Sequence, residues 1–112
     1  MNRRWRVRLT VRAEKDLEDI AIWTADHFGT LQARRYMKTL TLALESLAAG
    51  PDARGTRVRD DLAPGVRSLH AARNGRRASH LVVFRGTEDV IEVLRVLHDS
   101  MEPRRHITEI ED

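Results

Sequence analysis

The sequence predicts an α+β fold: an antiparallel sheet of about four strands with an N-terminal helical hairpin packed on one face. Three observations predict it. Apolar residues recur at helical spacing across residues 13–28 and again across 33–48. A single glycine, Gly29, separates the two stretches, so two helices of about five turns each must fold back on one another. Period-two or near-continuous apolar runs lie once before this hairpin and three times after it. The expected order is β-α-α-β-β-β with a short C-terminal helical tail. Which strand the first one pairs with is left open by the pattern.

The elements follow in turn. Trp5, Val7, Leu9 and Val11 alternate with Arg4, Arg6, Arg8 and Thr10, the mark of a half-buried strand with a basic outer face. Thr10 is placed to cap the helix that follows. Ala13, Leu17, Ile20, Ala21, Thr24 and Phe28 form its apolar stripe, with acids opposite, and Gly29 ends it. Ala33, Tyr36, Met37, Leu40, Leu44, Leu47 and Ala48 form the second stripe, which Gly50-Pro51 stops. Tyr36 is thereby expected in the core. Residues 51–65 read as a loop. Strands are expected from Val66 to Ala72, Ser79 to Arg85 and Val90 to Leu97. Arg73-Asn74-Gly75-Arg76 carries the Asn-Gly signal of a tight hairpin between the first two, and Gly86 to Asp89 turns the last pair. The tail from Ser100 holds one or two helical turns beside Pro103.

At 112 residues the chain is one domain, residues 1–112. Aromatic residues make up only 4%, so the core must come from Leu, Val, Ile and Ala. A core of this size is expected to draw part of its stability from a partner or from self-association. No apolar run approaches the roughly 20 residues of a membrane span. Met1 to Val7 lacks the apolar stretch of a signal peptide. Cysteine is absent, which removes disulfides and thiolate metal sites. The expectation is a cytoplasmic protein with no cofactor, no bound metal and no membrane contact.

The net charge is +3, but its distribution matters more. Residues 1–12 hold five arginines and no acid, and residues 67–87 hold Arg67, Arg73, Arg76, Arg77 and Arg85, again with no acid. Only Lys15 and Lys38 are lysine. Arginine binds carboxylate and phosphate through a planar fork, so these faces suit an anionic partner. The plainer alternative is a solvated surface shaped by codon usage.

The chain has no phosphate loop, no HExxH, no Gly-x-Ser-x-Gly and no zinc-ligand spacing among His27, His70, His80, His98 and His106. RNA cleavage needs a base, an acid and arginines for the phosphorane charge. Arg67, Arg85 and His98, on three consecutive strands, would supply two arginines and one proton-transfer group. The second group is missing; Glu102 and His106 lie in the tail. Histidines at strand ends more often serve as structural hydrogen-bonding residues.

The ordered set of short motifs resembles the RelE/ParE toxin superfamily of bacterial toxin–antitoxin modules, and within it the ParE branch, also called plasmid stabilisation proteins. The matching residues are Ala13, Asp16-Leu17 and Ile20; Gly29, Gln32-Ala33 and Tyr36; Leu47-Ala48 and Pro51; Gly65-Val66-Arg67-Ser68-Leu69; and His80, Val82 and Phe84-Arg85. They end in Ile91, Val93-Leu94-Arg95-Val96-Leu97-His98, Met101 and Arg105-His106. Leu81, Val83 and Phe84 stand where the family more often has polar residues and a tyrosine.

The resemblance implies a toxin held inactive by a ParD-like antitoxin, in a hetero-oligomer with it. It implies DNA gyrase as the target, with the cleaved-DNA complex stalled and DNA close by, and no enzymatic activity. RelE-type relatives instead cut mRNA on the ribosome, and a non-toxic basic binding module is the third reading. The expected contact residues for antitoxin or target are Arg4, Arg6, Arg8, Arg76 and Arg77, together with a patch of His98, Met101, Arg104, Arg105 and His106 at the exit of the last strand.

Overall fold

The computed structural model describes residues 4–107 of the chain. Strand β1 (Arg6–Leu9) leads into helix α1 (Val11–Phe28), which Gly29 joins to helix α2 (Thr30–Ser46) and a 3-10 turn (Leu47–Ala49). Four strands follow: β2 (Arg57–Val58), β3 (Val66–His70), β4 (His80–Thr87) and β5 (Val90–His98), then a single helical turn, α3 (Arg104–Ile107). The sheet order is β1-β5-β4-β3-β2.

The α+β class, the helical hairpin and the β3-β4-β5 meander are as the sequence predicts. Thr10 Oγ1 accepts the Ala13 N–H at 3.1 Å, so it does cap α1. Gly29 has φ +89° and serves both helices, closing α1 and opening α2 without a loop.

Three details differ from expectation. The sheet is mixed, because β1 runs parallel to β5, with Arg6 opposite Val90 and Leu9 opposite Val93. The connection between these two parallel strands runs through the helical hairpin and then through β2, β3 and β4. A fifth strand, β2, lies inside the segment read as a loop, where Arg57 pairs with Ser68 and Val58 with Arg67. Finally, Asn74 (φ +52°) and Gly75 (φ +78°) do form a turn, closed by Arg76 N–H to Arg73 O, but it sits in a longer connection over residues 71–79. The tight hairpin is the two-residue Glu88-Asp89 turn, since Thr87 pairs with Val90.

The sheet is covered on both faces. On one, Val82, Phe84, Ile91, Val93 and Val96 pack against Ala13, Leu40, Ala43 and Leu47 of the helical hairpin. On the other, Val66, Val83, Leu94 and Leu97 pack against Ala63 and Ile107. Burial on both faces explains the near-continuous apolar run of β5. Each fully buried Leu, Ile or Phe contributes about 1.5–3 kcal/mol relative to exposure. Gly86 lets the chain stack closely here: a Cβ at this position would lie 2.8 Å from Pro51 Cγ and 3.4 Å from Trp5 Cζ3.

A bulge interrupts the β4–β5 ladder. Val83 faces Arg95 while Phe84 faces Val93, leaving Leu94 as the extra residue. Arg95 meets Asp16 of α1 through a fork of two bonds, Nε–Oδ2 at 2.8 Å and Nη2–Oδ1 at 2.9 Å. The side chains are only 8% and 13% exposed. Asp16 Oδ2 also accepts the Val96 N–H at 2.9 Å, and Arg95 Nη1 donates to the His106 carbonyl at 3.4 Å. One ion pair thus joins α1, β5 and α3. Removing one member strands a buried charge. Asp16→Ala is expected to lose about 3–5 kcal/mol of stability in chemical denaturation. Arg95→Met in the Asp16→Ala background should recover part of that loss.

Candidate protein-binding groove

A cavity of about 750 Å³ lies where the helical hairpin overhangs the exit of the sheet. Helix α1 supplies its apolar wall through Ile20, Trp23 and Phe28, with Thr24 between them. Thr24 donates its hydroxyl to the Ile20 carbonyl at 2.7 Å and so presents no free polar group. Trp23 and Phe28 are 55% and 64% exposed, which is costly for residues of this size unless something covers them. Trp23 stacks on His27 at 4.0 Å between ring centroids and meets Phe28 edge-on at 5.9 Å. Phe28 is expected in the core from its helical spacing. It instead falls at the last residue of α1, where the sheet no longer lies beneath it.

The opposite wall is polar: Gln32 and Tyr36 from α2, Ser79 and His80 at the start of β4, and His98 at the end of β5. Tyr36 packs partly against the core, as its stripe predicts, but its hydroxyl does more. It accepts the Ser79 N–H at 2.9 Å and stands 2.6 Å from His80 Nδ1, so it donates its own proton there. Burial holds the Tyr36 phenol above its ordinary pKa, which keeps it a donor. His80 faces His98 across the β4–β5 pair, with the rings edge-on and 5.2 Å apart. Burial first, and the neighbouring His98 second, push the His80 pKa down to about 4. Behind them His70 Nδ1 accepts the Ala72 N–H, and Nε2 donates to Asp99 Oδ2 at 3.1 Å. That bond holds the Asp99 carboxyl below the usual range. Among the described residues, no three His, Asp or Glu side chains are placed to hold a metal ion. No helix there is long and apolar enough to cross a membrane.

The register does not bring Arg67, Arg85 and His98 together. His98 pairs with His80, and Arg85 lies five residues along β4, roughly 17 Å away. Arg85 also projects from the opposite face, where it bonds Glu92 at 3.2 Å. Arg67 sits at the far side of the sheet beside Asp52, 3.2 Å away. What meets His98 is His80 and, through it, Tyr36. The chain positions that meet are 44 residues apart, and no local pattern marks them.

Comparison with known proteins gives this geometry a family. The sequence model of the ParE toxin of the type II toxin–antitoxin system, parDE, matches residues 7–103. The chain belongs to the ParE toxin family. It is 37% identical to Toxin ParE1 of Mycobacterium tuberculosis over 100 residues, covering 88% of this chain and 94% of that one. It is 33% identical to Toxin ParE1 of Caulobacter vibrioides over 101 residues, covering 89% and 95%. The fold is shared with a chain of the chromosomal ParDE system from P. aeruginosa, with a TM-score of 0.68, 22% identity and coverage of 86% and 97%. It is also shared with a chain of the toxin–antitoxin complex RelBE2 from Mycobacterium tuberculosis, with a TM-score of 0.51, 22% identity and coverage of 85% and 98%.

The remaining contact candidates of this ParE toxin separate into three places. Arg4, Arg6 and Arg8 are exposed, and Arg8 bonds Glu92 at 2.6 Å, on the face of the sheet away from the helices. Arg76 and Arg77 are exposed in the 71–79 connection near the groove, and Arg76 reaches Thr39 Oγ1 at 3.2 Å. The expected patch after β5 is divided. His98 lines the groove, whereas Met101 turns to the other side of the sheet and packs with Ile107 and Leu97. Arg104 and Arg105 are exposed on α3, and His106 is half-buried. The turn at Asp99-Ser100 separates His98 from Met101.

His80 ties stability to pH. The unfolded chain protonates this residue near pH 6.5, the folded one near 4. The folded state therefore binds fewer protons in that window, so the contribution is full above about pH 6.5 and is lost as pH falls toward 4. The stability advantage of wild type over His80→Gln should shrink as pH falls from 7 to 4 in urea titrations.

Proposed function

We propose that this ParE-family toxin inhibits DNA gyrase in the cytoplasm and is neutralised by a ParD-like antitoxin that docks in the Trp23–Phe28 groove. The groove carries the reading: an apolar cleft with two exposed aromatic side chains is a poor solvent-facing surface and a good seat for an amphipathic segment. A flexible antitoxin tail that orders on this surface would fill the cleft with apolar side chains. Its acids would pair with the exposed arginines Arg76 and Arg77 beside the groove and with Arg6 and Arg8 on β1. The P. aeruginosa and M. tuberculosis neighbours, known as toxin–antitoxin systems, support a hetero-oligomer of this kind.

Membership in the ParE branch supports gyrase as the target. The divergence of Arg67, Arg85 and His98 supports a toxin that acts by binding and not by cutting RNA. Inhibition then rests on an interaction surface, with Arg104 and Arg105 exposed on α3 after the last strand.

Expression of the chain alone should relax plasmid DNA, trap gyrase on cleaved DNA and induce the DNA-damage response. Co-expression with a ParD-like antitoxin encoded beside it should abolish all three. Cleaved transcripts with arrested translation would contradict the gyrase reading. Trp23→Ala should leave the fold intact, because the ring is exposed, while weakening antitoxin affinity by about tenfold or more. Arg6→Glu with Arg8→Glu should lower both antitoxin affinity and its salt dependence; unchanged values would exclude the β1 face from the contact.

A further inference from the structure

The polar end of the groove holds more than an apolar segment needs. His80 Nδ1 is occupied by the Tyr36 hydroxyl, and His98 Nδ1 accepts the Ser100 N–H at 3.1 Å. Both imidazoles therefore carry their proton on Nε2. Two N–H donors thus stand within one pair of rings 5.2 Å apart, at one end of a cavity walled elsewhere by Trp23 and Phe28. The nearby acids are engaged. Asp19 is held by Lys15 at 2.8 Å, Asp99 by His70 at 3.1 Å, and Asp16 by Arg95. The adjoining 71–79 connection adds Arg73, Arg76 and Arg77 and no acid.

We propose that this end of the groove is a carboxylate-binding site, and that its natural occupant is an acidic side chain following an apolar anchor in the docked antitoxin segment. The occupant rests on the toxin–antitoxin reading; the site does not. Two neighbouring imidazole N–H groups are the kind of donor a carboxylate accepts from, and the basic connection supplies a favourable field. Trp23 and Phe28 supply the apolar contact that a short aromatic acid would share.

Such a site is proton-linked. The groups facing His80 are Tyr36 on α2, His70 on β3, His98 and Asp99 at the end of β5, and Asp16 and Asp19 on α1. Asp99 and Asp16 favour the imidazolium, whereas burial, His98 and His70 oppose it, and neutral His80 results. A bound carboxylate adds to the favourable side, so binding takes up a proton and tightens as pH falls.

The test uses the full-length toxin and a defined probe, indole-3-propionate against its carboxamide, followed by imidazole NMR signals. At pH 5.5 the acid should bind at least about fivefold tighter than the amide and shift the Nε2 signals of His80 and His98. Its affinity should rise about tenfold from pH 7.5 to 5.5. Both effects should be lost in His98→Gln, a surface change, and in His80→Gln. Equal affinity for acid and amide, or shifts confined to Trp23, overturns the site. Calorimetry with the antitoxin in two buffers of different ionisation enthalpy tests the occupant. Proton uptake on binding supports it. Tight binding without uptake overturns the occupant and leaves the toxin reading standing. No antitoxin binding overturns that reading and the occupant together, while the probe still decides the site.

Discussion

Beyond Leu9 the sheet loses an edge, and one aspartate closes the gap. β1 accompanies β5 for four residues and then becomes α1, so the second half of β5 has no strand on that side. The start of the helix substitutes for one. The Thr10 N–H donates to the Val93 carbonyl, and the Thr10 hydroxyl donates to the Leu94 carbonyl at 3.0 Å while accepting from Ala13. One turn on, Asp16 takes the Val96 N–H and the Arg95 fork. Buried backbone groups left unpaired cost about as much as a lost hydrogen bond each. The helix is therefore tied to the strand by polar bonds that admit one register, in addition to apolar contacts that tolerate several.

That register decides where the groove lies. With Asp16 fixed beside Val96, Ile20 follows one turn later and still packs on the core, and Trp23 two turns later is exposed. α1 thus runs beyond its support, and its last turns present aromatic side chains to an open cleft. Gly29 returns the chain at once, so that Gln32 and Tyr36 face the same cleft from α2. Tyr36 then holds His80 at the mouth of β4. A stability device at the sheet edge and an open apolar groove at the hairpin are two consequences of one contact.

Much of the fold was legible in the sequence because the signals were periodic and local. Two stripes at helical spacing, a threonine cap and a linking glycine identify the hairpin, and β5 announces itself by apolar residues at nearly every position. The parallel partner of β1 was not legible, since alternation along Trp5 to Val11 is the same beside any neighbour. β2 is two residues long, too short for a period. The Asn-Gly pair misled because its turn is real but is embedded in a nine-residue connection, while the tight hairpin uses Glu88 at φ +55°, a residue with no such preference. The site was least legible. Its parts meet across β4 and β5 and between α2 and β4, far apart in the chain, and no local period marks such a meeting. The family resemblance reached the correct toxin class without needing any of these contacts.

The account depends most on the Trp23–Phe28 groove being the surface the antitoxin occupies. The chain has two tryptophans, Trp5 and Trp23, so Trp5→Phe leaves Trp23 as its one tryptophan, excited selectively over Tyr36 at the red edge of absorption. Adding antitoxin to this variant should shift the Trp23 emission to the blue and protect it from acrylamide quenching, with saturation at the stoichiometry of the complex. A tight complex in which Trp23 emission and quenching stay those of the free toxin would contradict it.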